Sequence, residues 1–365
     1  MNTGTGCMGR WKGCAAALLL VFATVVLPRT ASAAEPSAAY EKWNSVGVEA
    51  AERAAAMMTR LGASPQKGAL IVLTNAGYAE VKGDRTAAAL DGAASITGAS
   101  RGRHTLVEIR TGAGVPLWFA VHDPASGLCA YLEVSATGPE GAFRTTAVER
   151  IDAAYLRAHP AETKATFDRA PFGGNEFRIV SIANAVAAGA PDDVMRVLEF
   201  HDHYCPGVSS GILMARYLKK RFPPGKGGYF IHSVDRWCKE DALMVMLGVS
   251  PARGDYAVHY PSEADKNRRL DSIAGADTLV YRQNDATGRW EALLLAFEWA
   301  ETPCPDTGNG IVDKLCADFW YLERLDKPEG FIKVLKRMDL PEGFSPRDGA
   351  RPGIDPLERL GLLKP

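Results

Sequence analysis

Apolar positions change their rhythm several times along the chain, and each change marks an expected element. From Tyr40 to Leu61 they recur every three to four residues, at Trp43, Val46, Ala50, Ala54 and Met57, which puts one apolar stripe on a helix. Gly68 to Glu80 then reads as a buried strand followed by a turn. Thr105–Arg110, Leu117–His122 and Leu128–Val134 read as further strands, the last closing a sheet. Between Tyr155 and Gly174 the sequence is charged, contains Pro and Gly and keeps no period, as a connection between lobes does. Beyond it, Asp192–Phe200, Gly211–Phe222 and Lys239–Leu247 read as helical or mixed. Tyr229–His232, Tyr256–Tyr260, Thr278–Arg282 and Glu291–Phe297 read as strands, and the tail from Asp339 is rich in Pro and Gly. The pattern predicts an α+β fold.

Two spaced motifs recur in the same order. Asp91-x6-Gly98-x-Ser100-x2-Arg103 matches Asp241-x6-Gly248-x-Ser250-x2-Arg253, and Asp123-Pro-Ala-Ser-Gly127 resembles Asn284-Asp-Ala-Thr-Gly288 between two strand candidates. An internal repeat, two related lobes of one fold, is therefore expected. The expected division is a first lobe at 34–165, a linker at 166–190, a second lobe at 191–300 that forms the metal-binding core, and a loop-rich C-terminal extension at 301–365.

The first 33 residues read as a secretory signal peptide. Arg10 and Lys12 precede the apolar run Cys14–Leu27, and Ala31-Ser32-Ala33 offers a small-residue cleavage site. The run is 14 residues long, short of the roughly 20 needed to span a bilayer as a helix. A periplasmic or secreted protein without stable membrane insertion is expected. With 42 basic and 43 acidic residues, the charge balance gives no reason to expect a nucleic-acid partner; a small molecule, a metal-containing ligand or a protein fits better.

The mature chain keeps Cys129, Cys205, Cys238, Cys304 and Cys316, an odd set in a compartment expected to be oxidising. Cys304 and Cys316, within TPCPDTGNGIVDKLC, suit a structural disulfide, and Cys129 sits in a strand candidate as a buried apolar thiol. The sharpest chemistry lies in Phe200-His201-Asp202-His203-Tyr204-Cys205-Pro206-Gly207. In an extended segment His201, His203 and Cys205 would share a face, and Pro206 would open a helix capped by Cys205. Cys238 precedes a second helix, where the dipole favours a thiolate. Two imidazoles and two thiols suit zinc first, then iron or another transition metal; a Cys205–Cys238 disulfide is the competing reading.

The first lobe has Ala88 where the second has Cys238 and contains no H-x-H-x-C. Asn75, Tyr78, Ser100 and Arg103 are its candidates for a cofactor-facing wall, unless the lobe is only a scaffold. Gly98-Ala-Ser100-Arg-Gly102 and Gly207-Val-Ser209-Ser-Gly211 fit the G-x-S-x-G pattern of serine hydrolases, but the counterpart of the first, Gly248-Val-Ser250-Pro-Ala252, loses the last Gly, and Ser209 follows a His/Cys-rich segment rather than an apolar central strand.

FHDHYCPGVSSGILMARYL and WCKEDALMVMLG resemble the FmdE family of formylmethanofuran dehydrogenase proteins over about residues 190 to 300. TNAGYAEVKG and LDGAASITGASRGRHTLVEI resemble the first lobe of exported two-lobed members. The resemblance implies an α+β core and often a dimer. It implies a zinc-like metal held by His201, His203, Cys205 and Cys238, with Asp241 as a supporting partner. Asp202 departs from the pattern, standing where Gly is common, and no C-terminal zinc finger is present. Three functions remain open: a protein that holds, senses or delivers a metal or metal-containing cofactor; a metalloenzyme with an open coordination position and Asp241 or His232 as proton carrier; and an interaction module with structural zinc.

Overall fold

A computed structural model describes residues 37–135 and 143–364, so the signal-like segment lies outside the described residues. The first helix, α1 (Ala38–Arg60), starts where the Ser37 hydroxyl accepts the Tyr40 amide, and it buries Trp43, Val46, Ala50, Ala54 and Met58 on one side. After it come β1 (Ile71–Thr74), the small hairpin β2 (Glu80–Val81) and β3 (Asp84–Arg85), α2 (Ala88–Thr97), β4 (Leu106–Glu108), β5 (Trp118–Asp123), β6 (Leu128–Val134) and β7 (Phe143–Arg150). Five of these strands form a sheet in the order β4-β1-β5-β6-β7, with β4 parallel to β1 and the other pairings antiparallel. Strand β6 thus does not close the sheet. β7 pairs beyond it, and its polar sequence FRTTAVER, half exposed along its length, carries little strand signal.

The segment expected to connect two lobes is helical. It contains α3 (Ala153–Ala158), α4 (Pro160–Phe167) and α5 (Glu176–Ala187), followed by α6 (Asp192–His201) and α7 (Pro206–Arg221). Helix α5, inside the expected linker 166–190, is buried continuously from Ile179 to Ala185. A helix enclosed on all sides shows no amphipathic stripe, which is why periodicity missed it.

The remaining elements are β8 (Tyr229–Ser233), α8 (Lys239–Leu247), β9 (Tyr256–Val258), α9 (Glu263–Asn267), β10 (Thr278–Gln283), β11 (Trp290–Phe297), α10 (Gly310–Leu322) and β12 (Ile332–Asp339). The second sheet runs β9-β8-β10-β11-β12, again with its first pair parallel and the rest antiparallel. Strand order and directions are therefore the same in both sheets. Asp91 lies in α2 and Asp241 in α8, and Gly98 and Gly248 end those helices in left-handed conformations at φ 70° and 68°. The expected extension 301–365 is less separate than its composition suggests, because it supplies the edge strand β12 and the helix α10. The Cys304–Cys316 disulfide is formed and ties the approach to α10 onto the helix itself.

Alternation along the strands sends side chains into different cores. Ile71, Leu73, Trp118 and Ala120 face a central core shared with α5, α7, α8 and the second sheet's Val280, Leu293 and Leu295. Val72, Phe119 and Val121 face α1 and α2, whereas Leu279, Tyr281 and Leu294 face the C-terminal segment. Among the described residues no helix is long and apolar enough to cross a membrane.

Candidate metal centre

The His/Cys segment is not extended throughout. His201 is the last residue of α6, and Asp202 then takes a left-handed conformation at φ 74°, which breaks the helix and reverses the chain. At Cys205, with φ -148° and ψ 160°, the backbone is extended; Pro206 then occupies the first turn of α7. His201 and Cys205 are brought together by this turn rather than by strand alternation.

Cys238 caps α8, and the two helix starts meet because α7 carries glycine at the contact. A Cβ on Gly211 would collide with the backbone of Lys239, and one on Gly207 would collide with the Trp237 ring and lie 2.9 Å from the Cys238 Cβ. The GVSSG stretch is therefore a helix-packing surface. Ser209 is buried inside α7 and Ser100 starts a short 3-10 turn, so neither stands at a nucleophile elbow. The first turn of α8 is itself pinned by a buried network. The Lys239 ammonium donates to Glu240 at 2.7 Å, and the Glu240 carboxylate also accepts from the Ser233 hydroxyl at 2.6 Å and from the Tyr256 hydroxyl.

One potential donor atom from each of His201, His203, Cys205 and Cys238 lies within 4.8 Å of the other three. The Cys205 Sγ is 3.9 Å from His201 Nε2. Zinc–sulfur and zinc–nitrogen bonds of about 2.3 and 2.05 Å in a tetrahedron place donors roughly 3.4–3.8 Å apart, so a small contraction would close the set. The donors are partly buried, with Cys205 the most enclosed.

Carboxylates orient both imidazoles. His201 Nδ1 pairs with Asp241 Oδ2 at 2.7 Å, and His203 Nδ1 pairs with Asp202 Oδ1 at 2.7 Å, leaving each Nε2 free to ligate. Arg178 donates to the other Asp202 oxygen at 3.1 Å, and Phe177 packs its ring 5.1 Å from that of His203. The intervening Tyr204 is fixed from two sides. Its amide donates to the Ser181 hydroxyl of α5, and its own hydroxyl reaches the Asp318 carbonyl of α10.

Burial works to lower the His201 pKa, but the Asp241 carboxylate and the Cys238 sulfur outweigh it and raise His201 to about 9. His203 is also raised: burial opposes the shift, while Asp202 and Cys238 drive it. Hydrogen bonding to Cys205, then to the two imidazoles, lowers Cys238, and the same Cys205–Cys238 contact together with burial raises Cys205. The Cys238 thiol is thus driven towards thiolate beside imidazoles driven towards their protonated forms, and a soft cation entering the cluster would compete with those protons.

The other candidates lie elsewhere. Asn75 is fully buried in the first sheet, where its amide donates to Thr111 and the Pro116 carbonyl and its oxygen accepts the Trp118 amide. Tyr78 is exposed, Ser100 accepts backbone amides in its turn, and Arg103 donates to the Gly68 and Gly98 carbonyls. None joins the His/Cys cluster. The first sheet's side reaches α6 through residues not singled out in the sequence: His104 meets Asp192 at 3.1 Å and Arg110 stacks on Phe200. His232 is buried with Nε2 bonded to the Pro346 carbonyl at 3.0 Å, outside the cluster. Arg178 and Phe177, which complete the His203 environment, gave no sequence signal because α5 was read as linker.

Residues 200–282 match the family model described as FmdE, Molybdenum formylmethanofuran dehydrogenase operon. This stretch is an FmdE-family domain. It takes in all four donors, Asp202 and Asp241, the helices α7 and α8, and strands β8 to β10, while β11, α10 and β12 lie beyond the match. A comparison with curated proteins finds no match.

Proposed function

We propose that this protein is an exported, FmdE-type metal-binding protein that holds or delivers a zinc-like transition metal, or a cofactor containing one. The observation that carries this reading is the convergence of two thiols and two imidazoles, with both imidazoles already oriented by carboxylates. Soft sulfur with imidazole favours zinc over oxygen-seeking calcium or magnesium. Four protein donors fill a tetrahedron, which supports holding a metal over an open catalytic position. The enzymatic alternative needs one donor to yield to water. The first sheet and its helices are a degenerate copy without ligands; the common strand order and the spaced Asp, Gly, Ser and Arg markers support that reading.

The test is metal analysis of freshly isolated protein alongside Cys205→Ser, Cys238→Ser and Cys129→Ser variants. About one zinc-like ion per chain in the wild type and the Cys129 variant, lost in the other two, is the expected result. Cys129 serves as control because it is fully buried in β6, away from the cluster. Full metal content in both ligand variants would overturn the reading.

A further inference from the structure

Next to the Cys238 corner lies a cavity of about 680 Å³, within the range of small-molecule sites. Three of the large exposed apolar side chains line it: Trp237, Tyr260 and Trp299, at 62%, 70% and 55% exposure. Single exposed aromatics need no explanation, but three around one concavity do. Two of the three rings are braced by neighbours. Trp237 lies against α7 at Gly207, and Trp299 makes edge contacts with Phe297 at 4.7 Å and Tyr321 at 6.3 Å. A ring supported at its edge and bare on a face is a stacking platform that loses little freedom when a flat ligand covers it.

The charges in the cavity are uneven in their commitments. Asp235 is paired with Lys266 at 3.3 Å, Asp277 accepts the Phe297 amide at 2.7 Å, and Lys239 is consumed by Glu240. Arg236 contacts the Tyr260 ring at 5.5 Å, and among the described residues no carboxylate forms an ion pair with it. A planar guanidinium left over beside aromatic platforms suits an acidic substituent on a flat ligand.

We infer that this cavity binds a planar heteroaromatic small molecule carrying an acidic group, stacked on Trp237 and Trp299 with the acid on Arg236. Because Trp237 immediately precedes Cys238, such a ligand would lie beside the metal. That placement rests on the metal-site reading, whereas binding itself does not.

The test uses the full chain, with FMN as acidic flat probe and riboflavin as its neutral counterpart, followed by calorimetry and tryptophan quenching. Saturable binding of one FMN per chain is expected, at least tenfold weaker in Trp299→Ala and in Trp237→Ala. Arg236→Gln should weaken FMN about tenfold while leaving riboflavin nearly unchanged. Trp299→Ala should keep full metal content, since it lies outside the donor set, and Cys238→Ser should keep FMN binding. If metal is absent but FMN binds, the metal reading falls and this one stands. Absence of saturable binding by either probe in folded protein overturns the inference, as does FMN binding unchanged in both tryptophan variants.

Discussion

Replacing Asp241 by Asn should weaken metal binding by an amount that depends on pH, and the direction of that dependence follows from the geometry. The carboxylate accepts the His201 Nδ1 proton at 2.7 Å, fixing the tautomer that presents Nε2 to Cys205. Loss of such a support costs about 10- to 100-fold in metal affinity, or roughly 1.4 to 2.7 kcal/mol at 1.36 kcal/mol per decade. Asp241 also helps hold His201 protonated in the metal-free state, up to about pH 9. Shedding that proton handicaps metal binding by a factor of about 100 at pH 7 but only about two at pH 9. The substitution removes part of this handicap while it removes the orientation. The full 10- to 100-fold loss should therefore emerge near pH 9, and the wild type and variant should converge towards pH 7. Competition titration against a chelator of known affinity, at both pH values, reads this directly. Asp241 is about one-third exposed, so the fold should survive, as a melting curve would verify. Equal affinities at pH 9, or a gap that widens on acidification, would refute the reasoning.

Two further outcomes concern the scaffold. Gly211→Ala places a methyl against the Lys239 backbone, so α7 and α8 must separate at the donor-bearing ends. We expect about 1–3 kcal/mol lost in urea denaturation, together with reduced metal occupancy; stability and occupancy both unchanged would show that the helix contact does not set the site. His122 and His232 are held neutral by burial, each lowered to about 4. Since an unfolded histidine titrates near 6.5, the unfolded chain binds more protons between these values, and stability should fall as pH drops from about 6.5 to 4. The loss approaches about 2 kcal/mol per histidine at pH 5, and a flat stability profile across that range would contradict the burial argument.

Much of the fold was legible because its signals are local. The stripe of α1, the apolar runs of β5 and β10, and the helix α8, bounded by Cys238 and Gly248, could all be read from pattern and composition. The misses share a physical cause, which is dependence on partners far away in sequence. Helix α5 is buried without a break from Ile179 to Ala185, Ser181 and Asn184 included, so no one-sided apolar stripe marks it, and β7 and β12 are edge strands whose polar residues face outward. The same applies near the donors. Arg178 and Ser181 gain their roles only when α5 is placed beside the His/Cys turn.

That His201, His203, Cys205 and Cys238 gather at one place was legible and their backbone was not, and Asp202 shows why the two are separable. An alternating H-x-H-x-C pattern reads as a strand if side chains alone are considered. The turn at φ 74° instead demands a residue able to enter left-handed space, which glycine does freely and other L-residues at a cost of roughly 1–2 kcal/mol. The glycine that the family resemblance leads one to expect at this place would thus serve the backbone, hidden inside a ligand motif. Aspartate is among the few residues that tolerate the conformation, and here its carboxylate bridges His203 and Arg178. The strain is offset by charge-assisted hydrogen bonds that also orient a ligand. The departure from the family pattern therefore keeps the turn and adds a support to the imidazole, so it strengthens the case that His203 is held for a metal.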